Sequence, residues 1–117
     1  IRDADRVMGL LEADGMEKIE MIINRIRPDL VAGGDMMSLS DIQEILTVPI
    51  IGAVTDEEEI VISSNNGEPV AGKDSPLGQI FVDICRRIMG EDIPVAQPSV
   101  SKGLIKRLKS ILEKKGK

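Results

Sequence analysis

The stretch that decides the fold is VPIIGAV at residues 48–54, a run of apolar and β-branched residues. A second run, IEMIIN, occupies residues 19–24. Short apolar runs of this kind are typical of strands that are buried on both faces, as in parallel sheets. Pro49 fits such a strand because the first position need not donate to the hydrogen-bond ladder. The two runs therefore predict two buried, parallel strands.

Helical patterns surround these strands. The first covers residues 1–13 and stops at Asp14 and Gly15; the second follows a serine cap at Ser38 or Ser40. The third begins with the four carboxylates of residues 56–59, near the positive end of the helix dipole. The fourth is capped by Ser75, has Pro76 at its first helical position and runs to residue 90. Residues 25–37 contain one proline and two glycines and predict mostly loop. The side chains that we expect to face inward are Ile42, Ile45 and Leu46 in the second helix, and Ile80, Phe81, Ile84, Cys85 and Ile88 in the fourth.

Strands that alternate with helices predict an α/β fold with a parallel sheet and helical crossovers. Two strands are too few for an independent sheet. The first residue is Ile1, and the chain opens directly into a helical pattern. We therefore expect a piece of a longer polypeptide, with the missing strands upstream.

Positive charge is concentrated at the end of the chain. Residues 102–117 carry seven Lys/Arg and one Glu, a net charge of +6, whereas residues 1–101 carry eight Lys/Arg and nineteen Asp/Glu, a net charge of −11. The apolar residues of this tail recur at helical spacing, and basic residues fill the other faces. A short helix of this kind is suited to the surface of an anionic bilayer. The stripe and its cationic flanks comprise Leu104, Ile105, Lys106, Arg107, Leu108, Lys109, Ile111 and Leu112.

Composition excludes several kinds of site within this chain. It has no His, which excludes His-based zinc sites, a Ser-His-Asp triad and a His general base. The single Cys85 excludes an intrachain disulfide and fits a reducing compartment. Phe81 is the one aromatic residue and the body is acidic, which argues against nucleic-acid binding. No apolar run approaches the ~20 residues that span a bilayer.

Six segments, taken in order, resemble one family. They are RDADR at residues 2–6, INRIRP at 23–28, GDMMS at 34–38, IL at 45–46, NNGEPV at 65–70 and KGLIKRL at 102–108. In this order they are similar to the C-terminal half of the MinD-type septum site-determining ATPases, in the ParA/MinD branch of deviant Walker A ATPases. The resemblance implies the C-terminal part of a parallel-sheet, P-loop NTPase-like sandwich.

The resemblance implies ATP as cofactor, with its base read by an Asn-Arg pair that corresponds to Asn24 and Arg25. A side-chain amide at the carboxyl end of a strand can pair with the adenine edge. The alternative is a strand-end Asn that bonds to local backbone. The family also flanks the base with backbone after the next strand, at Val54, Thr55 and Asp56. Thr55 departs from the family pattern, which has proline there, and Asp56 is more simply explained as a helix N-cap.

Asp3 and Asp5 lie, by resemblance, where the family meets its second subunit and MinC/MinE-type regulators; from charge alone they are exposed carboxylates near a helix start. For Asp35 the sequence leaves two alternatives open: a hydrogen bond to loop backbone, or an approach to the nucleotide. The chain has no glycine-rich loop with lysine in P-loop spacing, so Mg²⁺ would be held through the missing N-terminal half. We therefore expect no ATP hydrolysis by this chain alone.

The resulting hypothesis has three parts: residues 1–90 complete the ATPase domain, 91–101 form a linker, and 102–117 form a membrane-targeting helix. The protein would be cytoplasmic and peripheral on the inner face of the cell membrane, and a homodimer when complete. For the tail, the alternatives are a helix packed on its own domain or a disordered basic end. For the chain, they are a stand-alone interaction module that is not catalytic, or a small enzyme, for which no constellation of catalytic residues is present.

Overall fold

The computed structural model describes residues 1–98 and Leu112. The α/β order of elements follows the prediction, with one additional short helix. The elements are α1 (Arg2–Ala13), β1 (Met21–Ile26), α2 (Pro28–Ala32), α3 (Leu39–Leu46), β2 (Ile50–Thr55), α4 (Glu58–Asn65), a 3-10 turn (Val70–Gly72) and α5 (Pro76–Ile88). The prediction of loop was wrong for α2. Pro28 occupies its first turn, where a fixed φ and a missing N–H favour helix.

The two strands pair in parallel, as predicted, with Met21 opposite Ile50 and Ile26 opposite Thr55. Both begin two residues later than predicted. The Pro49 carbonyl accepts a hydrogen bond from Met21 N at 2.9 Å, but Pro49 has no N–H to return. Pairing on β2 therefore starts at Ile50. In the described residues the sheet has these two strands alone.

Core residues lie on both faces of this sheet, because successive side chains of β2 point to opposite sides. On one face Val54 packs with Val70, Leu77 and Ile84, which joins β2 to α5 and to the turn before it. On the other face, Ala53 packs with Ile26 and Leu39. Helix α5 lies very close to β2 at Gly52, where a Cβ would lie 2.6 Å from the Ile84 side chain.

Serine caps start two of the helices, as predicted. Ser38 Oγ accepts a hydrogen bond from Asp41 N, and Ser75 Oγ accepts one from Gly78 N. The predicted cap at Asp56 was wrong. Asp56 N still donates to Ile26 O at 2.8 Å, so this residue continues the strand ladder, and α4 begins at Glu58 after Glu57.

Some predicted inward faces were also wrong. Cys85 is exposed, Ile88 is 63% exposed and Ile45 is 52% exposed, whereas Leu39 and Leu46 are buried. The side chains that these two helices bury in the core clusters are Leu77 and Ile84 of α5 and Leu39 of α3, and Cys85, Ile88 and Ile45 are not among them. No residue of α1 is buried. Among the described residues, none of the helices combines the length and the apolar content that crossing a bilayer requires.

The pairing of β1 is interrupted at Asn24 and Arg25, where the register shifts between Ile23 and Ile26. Arg25 has φ +57°, the left-handed conformation that L residues other than Gly, Asn and Asp rarely adopt. Such a residue costs on the order of 1–2 kcal/mol relative to the usual backbone. The irregularity therefore places backbone strain at Arg25, one of the two residues that the sequence singled out.

The contact between α5 and the preceding turn predicts opposite effects for two helical glycines. A Cβ at Gly78 would overlap the Lys73 carbonyl oxygen, whereas a Cβ at Gly9 in α1 would have no atom of residues 1–98 within 4 Å. We expect Gly78→Ala to lower the free energy of unfolding by about 1–3 kcal/mol. Gly9→Ala should raise it by about 0.5–1 kcal/mol through helix propensity. Urea denaturation followed by far-UV circular dichroism measures both, and an unaltered midpoint for Gly78→Ala would contradict the packing.

The backbone of Arg25 makes a second prediction. Arg25→Gly should be more stable than Arg25→Ala by about 1 kcal/mol, because glycine adopts a positive φ without steric cost. At Arg6, inside α1, the order should reverse, with alanine the more stable by about 1 kcal/mol. The same denaturation experiment compares the four variants. If alanine were the better residue at both sites, the left-handed conformation at position 25 would be incorrect.

Candidate functional site

A cleft lies where β1 ends, at the carboxyl edge of the parallel sheet, and we call it the Asn24 cleft. Its volume is about 270 Å³. Three polar side chains, Asn24, Arg25 and Gln97, line it beside a mainly apolar wall. The apolar wall is made by Ile23, Ile26, Val31, Met36, Met37, Leu39 and Ile42, together with Ile1 and Pro98. A mainly apolar pocket with a few polar groups suits a flat organic ligand.

Asn24 makes the local bond that the sequence offered as an alternative. Its Oδ1 accepts a hydrogen bond from Arg25 N at 2.9 Å, which supports the unusual backbone of Arg25. A carbonyl oxygen has two lone pairs, and the side-chain nitrogen carries two N–H donors. Asn24 therefore keeps both acceptor and donor capacity toward the cleft, so the local bond and recognition of a base edge are compatible.

The residues predicted after β2 lie apart from this pair. Thr55 lines a second cleft of about 270 Å³, which we call the Arg87 cleft because Arg87 and Asp83 form its α5 side. The Val54 side chain is 2% exposed, so it offers a ligand nothing but its backbone. Asp56 is exposed, with its N–H already bonded to Ile26 O. The structure thus brings Asn24 and Arg25 together and sets Thr55 in the neighbouring cleft.

Residues 93–98, which we call the strap, separate the two clefts. Arg87 holds the strap through hydrogen bonds to two of its backbone carbonyls: Nε donates to Ile93 O at 2.6 Å and one terminal nitrogen donates to Pro94 O at 2.9 Å. The other terminal nitrogen donates to Ile51 O on β2 at 3.0 Å. Val95 packs against the cluster of Ile26, Leu39 and Ala53. Sequence reasoning missed this role, since an arginine in the last turn of a helix is an ordinary finding.

Two exposed ion pairs flank the site. Arg27 donates to the Asp29 carboxylate, and this hydrogen bond lowers the pKa of Asp29. Arg86 donates through two nitrogens to Glu91, just before the strap, which lowers the pKa of Glu91 and raises the pKa of Arg86. A lowered carboxylate pKa favours the folded state at neutral pH, and this contribution disappears as the pH falls through the folded-state pKa.

The other carboxylates that the sequence singled out do not line the Asn24 cleft. Asp3 and Asp5 are exposed in the first turn of α1. Asp35 lines a separate shallow depression with Asp41, next to the Asn24 cleft. Of the tail, the structure describes Leu112, which is helical and 67% exposed. The remaining membrane residues and linker positions 99–101 lie outside the described residues, so the predicted linker and tail helix stay predictions. The seven such residues of the tail stripe are Leu104, Ile105, Lys106, Arg107, Leu108, Lys109 and Ile111.

Comparison with known proteins gives a consistent result in sequence and in fold. The chain is 50% identical over 95 residues to a putative septum site-determining protein MinD of Emiliania huxleyi, covering 80% of this chain and 35% of the relative. It is 44% identical over 119 residues to the Thermotoga maritima septum site-determining protein MinD, covering 97% of this chain and 44% of the relative. No family model matches the chain.

Among solved structures, the Aquifex aeolicus MinD cell division protein matches with a TM-score of 0.76 and 44% identity, over 81% of this chain and 41% of that chain. The Aquifex MinC:MinD cell division protein complex matches equally well, over 81% of this chain and 40% of that chain. The chain spans about two fifths of the length of these relatives. Its sequence and its fold together show that it belongs to the MinD family of septum site-determining proteins.

Proposed function

We propose that this chain supplies base recognition and reversible membrane binding to a MinD-type ATPase that takes part in placing the division septum. The observation that carries the proposal is the agreement of 44% sequence identity with a TM-score of 0.76 to a MinD cell division protein. Relatives at 48% and 44% identity are named septum site-determining proteins. The Asn24 cleft and the basic tail supply the two chemical functions within that role.

The residues of the Asn24 cleft fit an adenine base. The apolar wall, which includes Ile23, Val31 and Met36, matches the faces of a flat heterocycle, and Asn24 offers the acceptor and donor that its edge requires. Adenine presents N7 as acceptor and the N6 amino group as donor. Bound ATP would supply the energy of phosphoryl transfer, and Asn24 and Arg25 would bind and orient its base.

The residues present do not fit the phosphates or Mg²⁺. Among the residues that the structure describes, Arg25 supplies the one cationic side chain that lines the Asn24 cleft, and the sequence has no P-loop motif. A phosphate cradle built from backbone N–H groups and lysine must therefore come from a segment outside this chain. Accordingly, we propose that catalysis belongs to the complete protein.

The tail is the proposed membrane anchor, with the protein cytoplasmic and peripheral on the inner face of the membrane. Five buried Leu and Ile residues would contribute roughly 7–15 kcal/mol before costs, and each cation about 1 kcal/mol near an anionic surface. Ordering about ten residues costs ~1–2 kcal/mol each, so a single tail binds weakly. Two tails on a homodimer would gain ~10²–10⁴ in avidity. Dimerisation thereby becomes the switch for attachment.

Exposed carboxylates on α1 are the proposed contact with a second subunit and with MinC/MinE-type regulators. Asp3 and Asp5 stand in the first turn of a helix with no buried residue, and Val7 and Leu10 are 52% and 65% exposed beside them. A surface that mixes apolar and charged groups suits a regulated protein contact. One matched structure is a complex of MinD with MinC, which supports a partner of that type.

The alternative function is a stand-alone interaction module that is not catalytic and binds a membrane or partner through its basic helix. This alternative retains the predicted membrane-binding helix but assigns no nucleotide to the Asn24 cleft. The two functions differ in whether a base binds at Asn24.

The missing phosphate cradle predicts weak nucleotide binding. Titration of the 117-residue chain with Mg²⁺-ATP in a calorimeter should give a dissociation constant well above the micromolar range, and phosphate release should not exceed that of a protein-free blank. Asn24→Ala is the matched variant for the residual binding, which it should reduce further. Micromolar affinity would contradict the assignment of the phosphate site to another segment.

The tail prediction is tested with vesicles made from equal parts of phosphatidylglycerol and phosphatidylcholine. Replacing Leu104 and Leu108 by Glu should abolish sedimentation with these vesicles, because it removes two apolar contacts and adds two negative charges. Ser99→Glu with Ser110→Glu adds the same charge away from the stripe and should retain most of the binding. Equal loss in both variants would mean that charge alone binds the tail, and retained binding of the leucine variant would overturn the membrane anchor.

A further inference from the structure

The strap has a fixed position because α5 and the sheet hold it at two points. Arg87 bonds to Ile93 O and Pro94 O on the strap and to Ile51 O on β2, which joins the three segments through one guanidinium group. Val95, the next residue, packs against the core cluster of Ile26, Leu39 and Ala53. The two residues that follow, Gln97 and Pro98, are therefore placed over the carboxyl edge of the sheet.

Gln97 lines both clefts. It is exposed, so it is not a core residue, and its side-chain amide carries one acceptor and two donors. Within the part of the chain that the structure describes, it is the one polar residue from outside β1 that lines the Asn24 cleft. A flat ligand bound beside Asn24 thus has a second amide available from the strap.

We propose that Gln97 is a second base-contacting residue of the Asn24 cleft, and that Arg87 is the positioning residue that holds it there. The ligand class is a purine nucleoside, and the proposal rests on the proposed function, in which a base binds beside Asn24. The Asn24 amide contacts one edge of the base, through N6 and N7, whereas a second amide on a different segment can contact another edge. Gln97 thereby adds selectivity for adenine over a pyrimidine.

Arg87 suits its role because its planar fork donates to several acceptors at once in a fixed geometry. A lysine has a single ammonium centre on a flexible stem and cannot span the carbonyls of Ile51, Ile93 and Pro94 together. The neighbouring Arg86 provides a matched control: it pairs with Glu91 and lies near Asp83, and no bond to the strap is seen for it in the described part of the chain.

The experiment is a titration of the uniformly ¹⁵N-labelled 117-residue chain with adenosine to millimolar concentration, followed by two-dimensional NMR, with cytidine as the comparison. The side-chain amide signals of Asn24 and Gln97 should shift together with one dissociation constant, and cytidine should shift them less. Gln97→Ala should weaken adenosine binding about fivefold, the effect of one hydrogen bond. The same substitution should also reduce the difference in binding affinity between adenosine and cytidine.

Arg87→Lys separates positioning from contact. In that variant the Asn24 amide should still shift, whereas the Gln97 amide should stay unmoved, and Arg86→Lys should behave as wild type. If the Asn24 amide shifts and the Gln97 amide does not in the wild-type chain, the role of Gln97 is overturned while the base site stands. If neither shifts, both are overturned. Because Gln97 is exposed, its alanine variant decides the proposal even if Arg87→Lys fails to fold, and wild-type affinity in Gln97→Ala would refute it.

Discussion

The close packing of α5 against β2 is the constraint on which the rest of the structure depends. At Gly52 there is room for a hydrogen atom but not for a methyl group, since a Cβ would lie 2.6 Å from Ile84. At the start of the same helix, Gly78 lies against the backbone of Lys73. Between these points Leu77 and Val54 are each 2% exposed. Helix and strand therefore have one relative position, because interiors at crystal-like density do not accommodate displaced side chains.

That position determines where Arg87 lies, and Arg87 determines where the strap lies. A residue at the end of α5 reaches Ile51 on the strand and the carbonyls of Ile93 and Pro94 only because the helix sits directly on β2. Hydrogen bonds from a charged donor are stronger than those between neutral groups. The Arg87 side chain thus links the close packing of the core to the position of the strap at the edge of the Asn24 cleft. The cleft is a consequence of the core rather than an independent loop feature.

The candidate site could be predicted in part. Asn24 and Arg25 follow an apolar run, and their place at a strand end was readable from sequence, as was the family resemblance of INRIRP. The left-handed φ of Arg25 was not, because arginine carries no local preference for it. The Asn24 side chain makes it possible by accepting the Arg25 N–H. The prediction at Asp56 was wrong for a related reason: its N–H bonds to Ile26, a residue thirty positions earlier in the chain.

The sequence by itself determined the order of the two strands and the four longer helices, but not the short α2. It also determined the serine caps at Ser38 and Ser75 and the separation of an acidic body from a basic tail. These features depend on side-chain periodicity and on bonds between residues three or four apart, which are set locally. Tertiary structure alone decided that Cys85 and Ile88 face outward and that the strap crosses the sheet edge. Those outcomes depend on which surfaces meet, and residues 51, 87 and 94 become neighbours only after the helix has packed on the strand.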